Sequence, residues 1–160
     1  MNNNCPFPIG HDPAFLFGCG RFRPVGERLM NYLLDTYALL WLGMGGGDLS
    51  PETKRRIETA ANLFHSSISA WELARLVQEG KIEIGAKPDV FLSDLANQYG
   101  LVSIPPTDEI ALRAAQLPDI HKDPADRIII ATALVQNLPV VTGDGRFPQY
   151  SIQTFNKEKP

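Results

Sequence analysis

"HKDPADRIIIATAL", residues 121–134, joins two aspartates three positions apart to an apolar run that holds until Gln136. Asp123 suits a helix N-cap, Pro124 the first helical position and Asp126 the first turn, where the helix dipole favours negative charge. These signals predict a buried helix from about 124 to 137. Capping accounts for the stretch by itself, so the placement of the other acids decides whether these carboxylates do chemistry.

Outward from this helix, strands and helices alternate. On its C-terminal side, "PVVTGD" (139–144) reads as a strand into a tight turn and "SIQTF" (151–155) as a last short strand. On its N-terminal side, "TDEIALRAAQL" (107–117) is a helix capped by Thr107 and ended before Pro118, and "LVSIP" (101–105) is a strand. Residues 88–99 carry apolar side chains at 91, 92, 95, 96 and 99, a helical stripe stopped by Gly100. "SAWELARLVQEGK" (69–81) is a helix closed by Gly80, preceded by the strand and turn of "NLFHSSIS" (62–69). Ser50-Pro51-Glu52 opens a further helix, "TYALLWLG" (36–43) is a short one, and "MNYLLD" (30–35) supplies the first strand. The alternation implies an α/β fold with a mainly parallel central sheet between two helical layers, its chemistry at the carboxyl ends of the strands.

The bulk numbers agree with one such domain. The chain has 160 residues, 44% of them apolar, enough for one substantial core. No apolar run reaches the roughly 18 residues of a membrane span, and no secretory pattern opens the chain, which points to a soluble, cytoplasmic protein. Both cysteines, Cys5 and Cys19, precede Met30, so the domain is neither a disulfide scaffold nor a thiolate zinc site. Residues 1–29 show neither helical nor alternating periodicity and are expected to be a leader, disordered or preceding the true start at Met30, with the domain spanning 30–160. The net charge is −3, and residues 30–160 hold 12 basic against 16 acidic side chains, so bulk charge does not itself announce nucleic-acid binding.

Four acids fall where such a sheet gathers its site. Asp35 ends the first strand, Glu72 lies one turn into the helix after the second, Asp126 one turn into the 124–137 helix, and Asp144 just beyond the fourth strand. Each has a local alternative: Asp35 as a cap if Thr36 opens a helix, Glu72 in a capping box with Ser69, and Asp144 as a turn residue between glycines. Convergence of all four is what the local readings leave unexplained. Clustered carboxylates repel unless cations compensate, and an oxygen-only ligand set suits Mg²⁺ or Mn²⁺, ions that serve phosphoryl chemistry.

The segments "LLDTYALLWL", "SSISAWELA", "DPADRIIIATAL" and "VVTGDGRF", in that order, resemble the PIN-domain ribonucleases, in particular the VapC-type toxins of toxin–antitoxin pairs. The resemblance runs from Met30 to about Phe155 and implies a metal-dependent endoribonuclease acting on single-stranded or structured RNA. It places the acidic quartet on Asp35, Glu72, Asp126 and Asp144, as catalytic and metal-holding residues. It further places a hydroxyl on Thr142; Thr142, Thr36 and Arg127, the last read as an orienting partner, are expected to contact substrate or to support the acids from behind. A cognate antitoxin and a homodimer are the implied partners. The glycines flanking Asp144 depart from many relatives, which leaves its contact with metal open, direct or through water.

Rival readings are weaker. A haloacid-dehalogenase-like phosphatase would require a second aspartate at position 37, which is Tyr37. The glycine-rich stretches lack the Lys-Ser/Thr of a phosphate loop. His65 and His121 have no zinc spacing and read as structural. Arg75, Lys81, Arg127 and Arg146 are either RNA-phosphate contacts or ordinary surface charges, and Trp41 and Trp71 are either core or part of an antitoxin groove. The alternative from another class is a catalytically silent PIN-like module that binds RNA or protein.

Overall fold

The computed structural model describes residues 30–155; the expected leader lies outside the described residues. Strand β1 (Asn31–Leu34) is followed by helices α1 (Thr36–Gly43) and α2 (Pro51–Glu58), strand β2 (Asn62–Ser66), helices α3 (Ile68–Gln78) and α4 (Pro88–Tyr99), and strand β3 (Leu101–Ile104). Helices α5 (Asp108–Ala115) and α6 (Pro124–Gln136), strand β4 (Val140–Val141), a 3-10 turn (Phe147–Tyr150) and strand β5 (Thr154–Phe155) complete the order. The strands lie in the order β3-β2-β1-β4-β5, and every pairing is parallel.

Alternation along the strands divides the interior into two cores. Tyr32 and Leu34 of β1 face one cluster with Ala38, Leu39, Leu42, Ile57, Phe91 and Leu95 from the early helices. Leu33 faces the other, with Ile110 and Ala114 of α5 and Ile129, Ile130 and Ala133 of α6. The sheet is thus covered on both faces, the three-layer α/β/α arrangement expected. Helix α6 has its interior on several sides, with Ile129, Ile130, Ala131 and Thr132 all buried. The Thr132 hydroxyl is satisfied by donating to the Ile128 carbonyl at 2.7 Å. No helix among the described residues is long and apolar enough to cross a membrane.

The helix starts follow the expected caps with one exception. Asp123 accepts from the Ala125 N–H (2.8 Å) with Pro124 in the first turn, Ser50 accepts from Thr53 (3.1 Å), and Thr107 from Ile110 (3.3 Å). Gly100 ends α4 in the left-handed conformation, φ +67°, where a side chain is strained. The exception is α3, which begins at Ile68, so that Ser69 lies inside the helix, buried, with its hydroxyl unpartnered. The Ser69–Glu72 capping box does not form, and Glu72 is released for another contact.

Strand order places the reversal of connection between β1 and β4, its neighbour on the far side from β2, and this is where an open α/β sheet makes its crevice. The chain beyond both strands stays tied: the Asp35 N–H donates to Val141 O (3.1 Å), and the Thr142 N–H to Phe155 O (3.2 Å).

Arg127 has a structural task. Its guanidinium donates to the carbonyls of Ala114 (3.1 Å), Leu117 (2.8 Å), Pro118 (3.0 Å) and His121 (3.0 Å), gathering the end of α5 and the loop that enters α6. Of the two expected roles, contact with substrate or support of the acids, these bonds to backbone favour support, through the loop that carries Asp126. Truncation strands several carbonyls, and Arg127→Ala is expected to lower stability by on the order of 3 kcal/mol in urea unfolding, with little recovery in Arg127→Lys, which lacks the planar fork. A loss below about 0.5 kcal/mol would contradict this role.

Candidate active site

Asp35 combines two functions that looked like alternatives in the sequence. It caps α1, its Oδ1 accepting from the Ala38 N–H at 2.6 Å, and it stands buried at the carboxyl end of the central strand. Burial pushes its carboxyl up to about 7, against hydrogen bonds from Thr142 and Ala38 that favour the ionised form, and repulsion from Asp126 and Glu72 adds to the rise. Asp126, in the first turn of α6, is raised to about 6, chiefly by burial and then by Glu72, with Asp144 also contributing repulsion. The four predicted acids therefore share one neighbourhood, as their mutual electrostatics require.

Hydroxyls tie this group together. The Thr36 hydroxyl donates to Glu72 Oε2 at 2.5 Å, linking the first turn of α1 to the second turn of α3. Thr142 accepts from the Asp144 N–H at 3.0 Å and directs its proton to Asp35. Thr36 and Thr142 thus position carboxylates. Beside them, Trp41 packs so closely on the turn after β4 that a Cβ at Gly143 would lie 2.4 Å from its ring, which explains a glycine before Asp144. Trp71, by contrast, is 52% exposed, with the Arg75 guanidinium 5.2 Å from its ring centroid. Of the other basic candidates, Arg75 and Lys81 both pair with Glu79.

Asp144 sits in a different electrostatic setting. A fork from Arg146 is the main influence holding its carboxyl well below the usual range, with hydrogen bonds from the Arg146 N–H and from His121 adding to it. His121, expected to be structural, is buried, yet its Nε2 lies 3.1 Å from Asp144 Oδ2 and its Nδ1 3.0 Å from the Tyr150 hydroxyl. The sequence carried one usable signal for this contact, the position of His121 in the loop that feeds the Asp126 helix. Tyr150 had none.

The donor set fits a hard divalent cation. Asp35, Glu72 and Asp126 offer only oxygens, and two of the three are driven toward protonation by burial and mutual repulsion that a cation would relieve. Among the described residues, however, no group of three or more His, Cys, Asp or Glu side chains stands close enough together to hold a metal ion as arranged, so these oxygens would have to draw together around one.

Residues 32–153 match the PIN domain family, and the chain belongs to it. Over 115 residues it is 35% identical to Ribonuclease VapC22 of Mycobacterium tuberculosis, covering 71% of this chain and 87% of that protein. Its fold is similar to a chain in the crystal structure of VapBC2 from Rickettsia felis bound to a promoter DNA fragment, with TM-score 0.60, 18% identity, and coverage of 79% and 98%. A toxin–antitoxin complex from Klebsiella pneumoniae gives TM-score 0.58, 21% identity, and coverage of 81% and 99%.

The raised Asp35 carboxyl has a consequence for stability. Its folded value exceeds the free value of 3.8, so the folded state holds the proton more tightly, and stability is lost as pH rises toward 7. Asn keeps an oxygen for the Ala38 cap and carries no charge. Without metal, Asp35→Asn should gain on the order of 2 kcal/mol relative to the parent between about pH 5 and pH 8. Calorimetric unfolding at the two pH values checks this, and equal differences would contradict it.

Proposed function

We propose that the chain is a metal-dependent endoribonuclease of the VapC type, acting as the toxin of a toxin–antitoxin pair. The observation that carries this reading is the gathering of Asp35, Glu72 and Asp126 at the crevice beside β1, in a chain 35% identical to a named ribonuclease. These three acids hold Mg²⁺ or Mn²⁺, and Asp144 contributes charge beside them. When bound, the ion supplies Lewis-acid stabilisation of charge on the scissile phosphodiester and lowers the cost of deprotonating the attacking water.

The chain's own residues do the positioning. Thr36 fixes Glu72, Thr142 and the Ala38 N–H fix Asp35, and the first turn of α6 fixes Asp126. Rigid helix starts suit this task better than loops, because small displacements of ligating oxygens weaken both binding and alignment. The substrate is RNA, single-stranded or looped, in which the backbone can reach a crevice of this kind. A cognate antitoxin is the proposed protein partner, following the complexes in which chains of this fold occur, and a cytoplasmic homodimer is the proposed working form.

Purified residues 30–160 with Mn²⁺ are expected to cleave RNA in a mixed pool, with activity lost on chelation and reduced at least 100-fold in Asp35→Asn and Asp126→Asn. Mn²⁺ should also raise the melting temperature of the parent and not of Asp35→Asn. A folded protein with neither cleavage nor metal stabilisation would favour the silent binding module.

A further inference from the structure

Both carboxylate oxygens of Asp144 already have hydrogen-bond donors in the arrangement it adopts. Its Oδ1 accepts from the Arg146 N–H (2.9 Å) and Nε (3.0 Å), and its Oδ2 from Arg146 Nη2 (2.5 Å), Nε (3.1 Å) and His121 Nε2 (3.1 Å). A carboxylate offers about four in-plane lone-pair sites, and these donors occupy them all. Asp35 and Asp126 differ from it in having no arginine or lysine hydrogen-bonded to them and in being buried near other carboxylates. Asp35 and Asp126, crowded by other carboxylates, thus stand apart from Asp144, which is paired with Arg146.

The inner contact is built to last. His121 is 1% exposed, and its backbone N–H donates to the Tyr150 hydroxyl at 2.8 Å while its Nδ1 lies 3.0 Å from the same oxygen. With the hydroxyl proton given to Nδ1, the imidazole keeps its own proton on Nε2, aimed at Asp144. Phe147 packs edge-on against the ring at a centroid distance of 5.3 Å, and Arg127 holds the His121 carbonyl. Asp144 is thus braced from the interior.

The outer contact faces solvent. The Arg146 side chain is 52% exposed, and Asp144 engages only Nε and Nη2 of its guanidinium. Nη1 has no hydrogen-bond partner among the described residues, so its protons are available to an anion. Asp144, the partner of Arg146, donates its N–H to the Thr142 hydroxyl, which also reaches Asp35, and this chain of contacts places Arg146 at the lip of the acid site. A polyanion entering a crevice lined by carboxylates needs such a cation, and arginine is suited to phosphate geometry.

We propose that Asp144 is a positioning residue rather than a metal ligand: braced by His121, it presents the Arg146 guanidinium at the mouth of the acid site, where Arg146 binds a phosphate of the RNA backbone. This rests on the ribonuclease reading and assigns its fourth acid a different task.

The test pairs Mn²⁺ titration calorimetry on the full chain with steady-state cleavage of an oligoribonucleotide carrying a site cut in a mixed RNA pool. Asp144→Asn and Arg146→Ala should bind Mn²⁺ within about twofold of the parent, whereas Asp35→Asn loses binding. Arg146→Ala should raise KM about tenfold with a smaller change in kcat and reduce the salt slope of 1/KM by about 0.7, the share of one phosphate contact on a single strand. Asp144→Asn should reproduce the KM effect, and Arg146→Lys should recover part of it, which a turn-stabilising role would not produce. Loss of Mn²⁺ binding in Asp144→Asn comparable to that in Asp35→Asn overturns the proposal, as does an unchanged KM and salt slope in Arg146→Ala. Absence of cleavage by the parent would defeat the ribonuclease reading instead, and the Mn²⁺ titration would still decide whether Asp144 is a ligand.

Discussion

A carboxylate buried at the end of the central strand sets the terms for everything around it. Asp35 caps α1 through the Ala38 N–H and accepts from Thr142, and these contacts favour its ionised form without overcoming its burial. Nothing in local structure requires so costly a placement, because an exposed cap would serve α1 equally well. Glu72 and Asp126 compound the cost by facing the same crevice. In the proposed site a divalent cation is the partner whose charge and oxygen preference would offset that cost.

The parallel sheet makes this concentration possible. Because β1 and β4 are neighbours and run the same way, the residues that follow them emerge at one edge, and α3 and α6 begin at that edge as well. Helix starts deliver Asp35, Glu72 and Asp126 on short, well-anchored stalks. Arg127 fastens the loop before α6, and through the His121 carbonyl the same fastening reaches the imidazole that braces Asp144. Stability of this corner and geometry of the site are consequently coupled.

Much of this was legible because the signals are local. Ser50-Pro51, Thr107 and Asp123-Pro124 mark helix starts by chemistry that depends on a few neighbouring residues, and all three act as caps. The four acids were legible as a set because a parallel sheet maps strand ends to one edge. What depends on distant pairs was not. The Ser69–Glu72 spacing suggested a capping box, but α3 starts one residue earlier and Glu72 turns to Thr36, 36 positions away. The hydrogen bonds of Tyr150 to His121 and of Arg127 to the α5 carbonyls likewise join segments whose approach is set by tertiary packing. Trp71 shows the same limit, since the side of α3 left uncovered follows from where α4 and α6 pack.

The most direct test of the central claim is the number of protons released when Mn²⁺ binds, obtained by titration calorimetry near pH 6.5 in buffers of different ionisation enthalpy. Asp35 and Asp126, raised to about 7 and about 6, are partly protonated there and must ionise to hold the ion. Release approaching one proton per ion, falling in Asp35→Asn, is the predicted result. Mn²⁺ binding with no proton release, or no binding at all, would contradict the account of these buried carboxylates as the metal site.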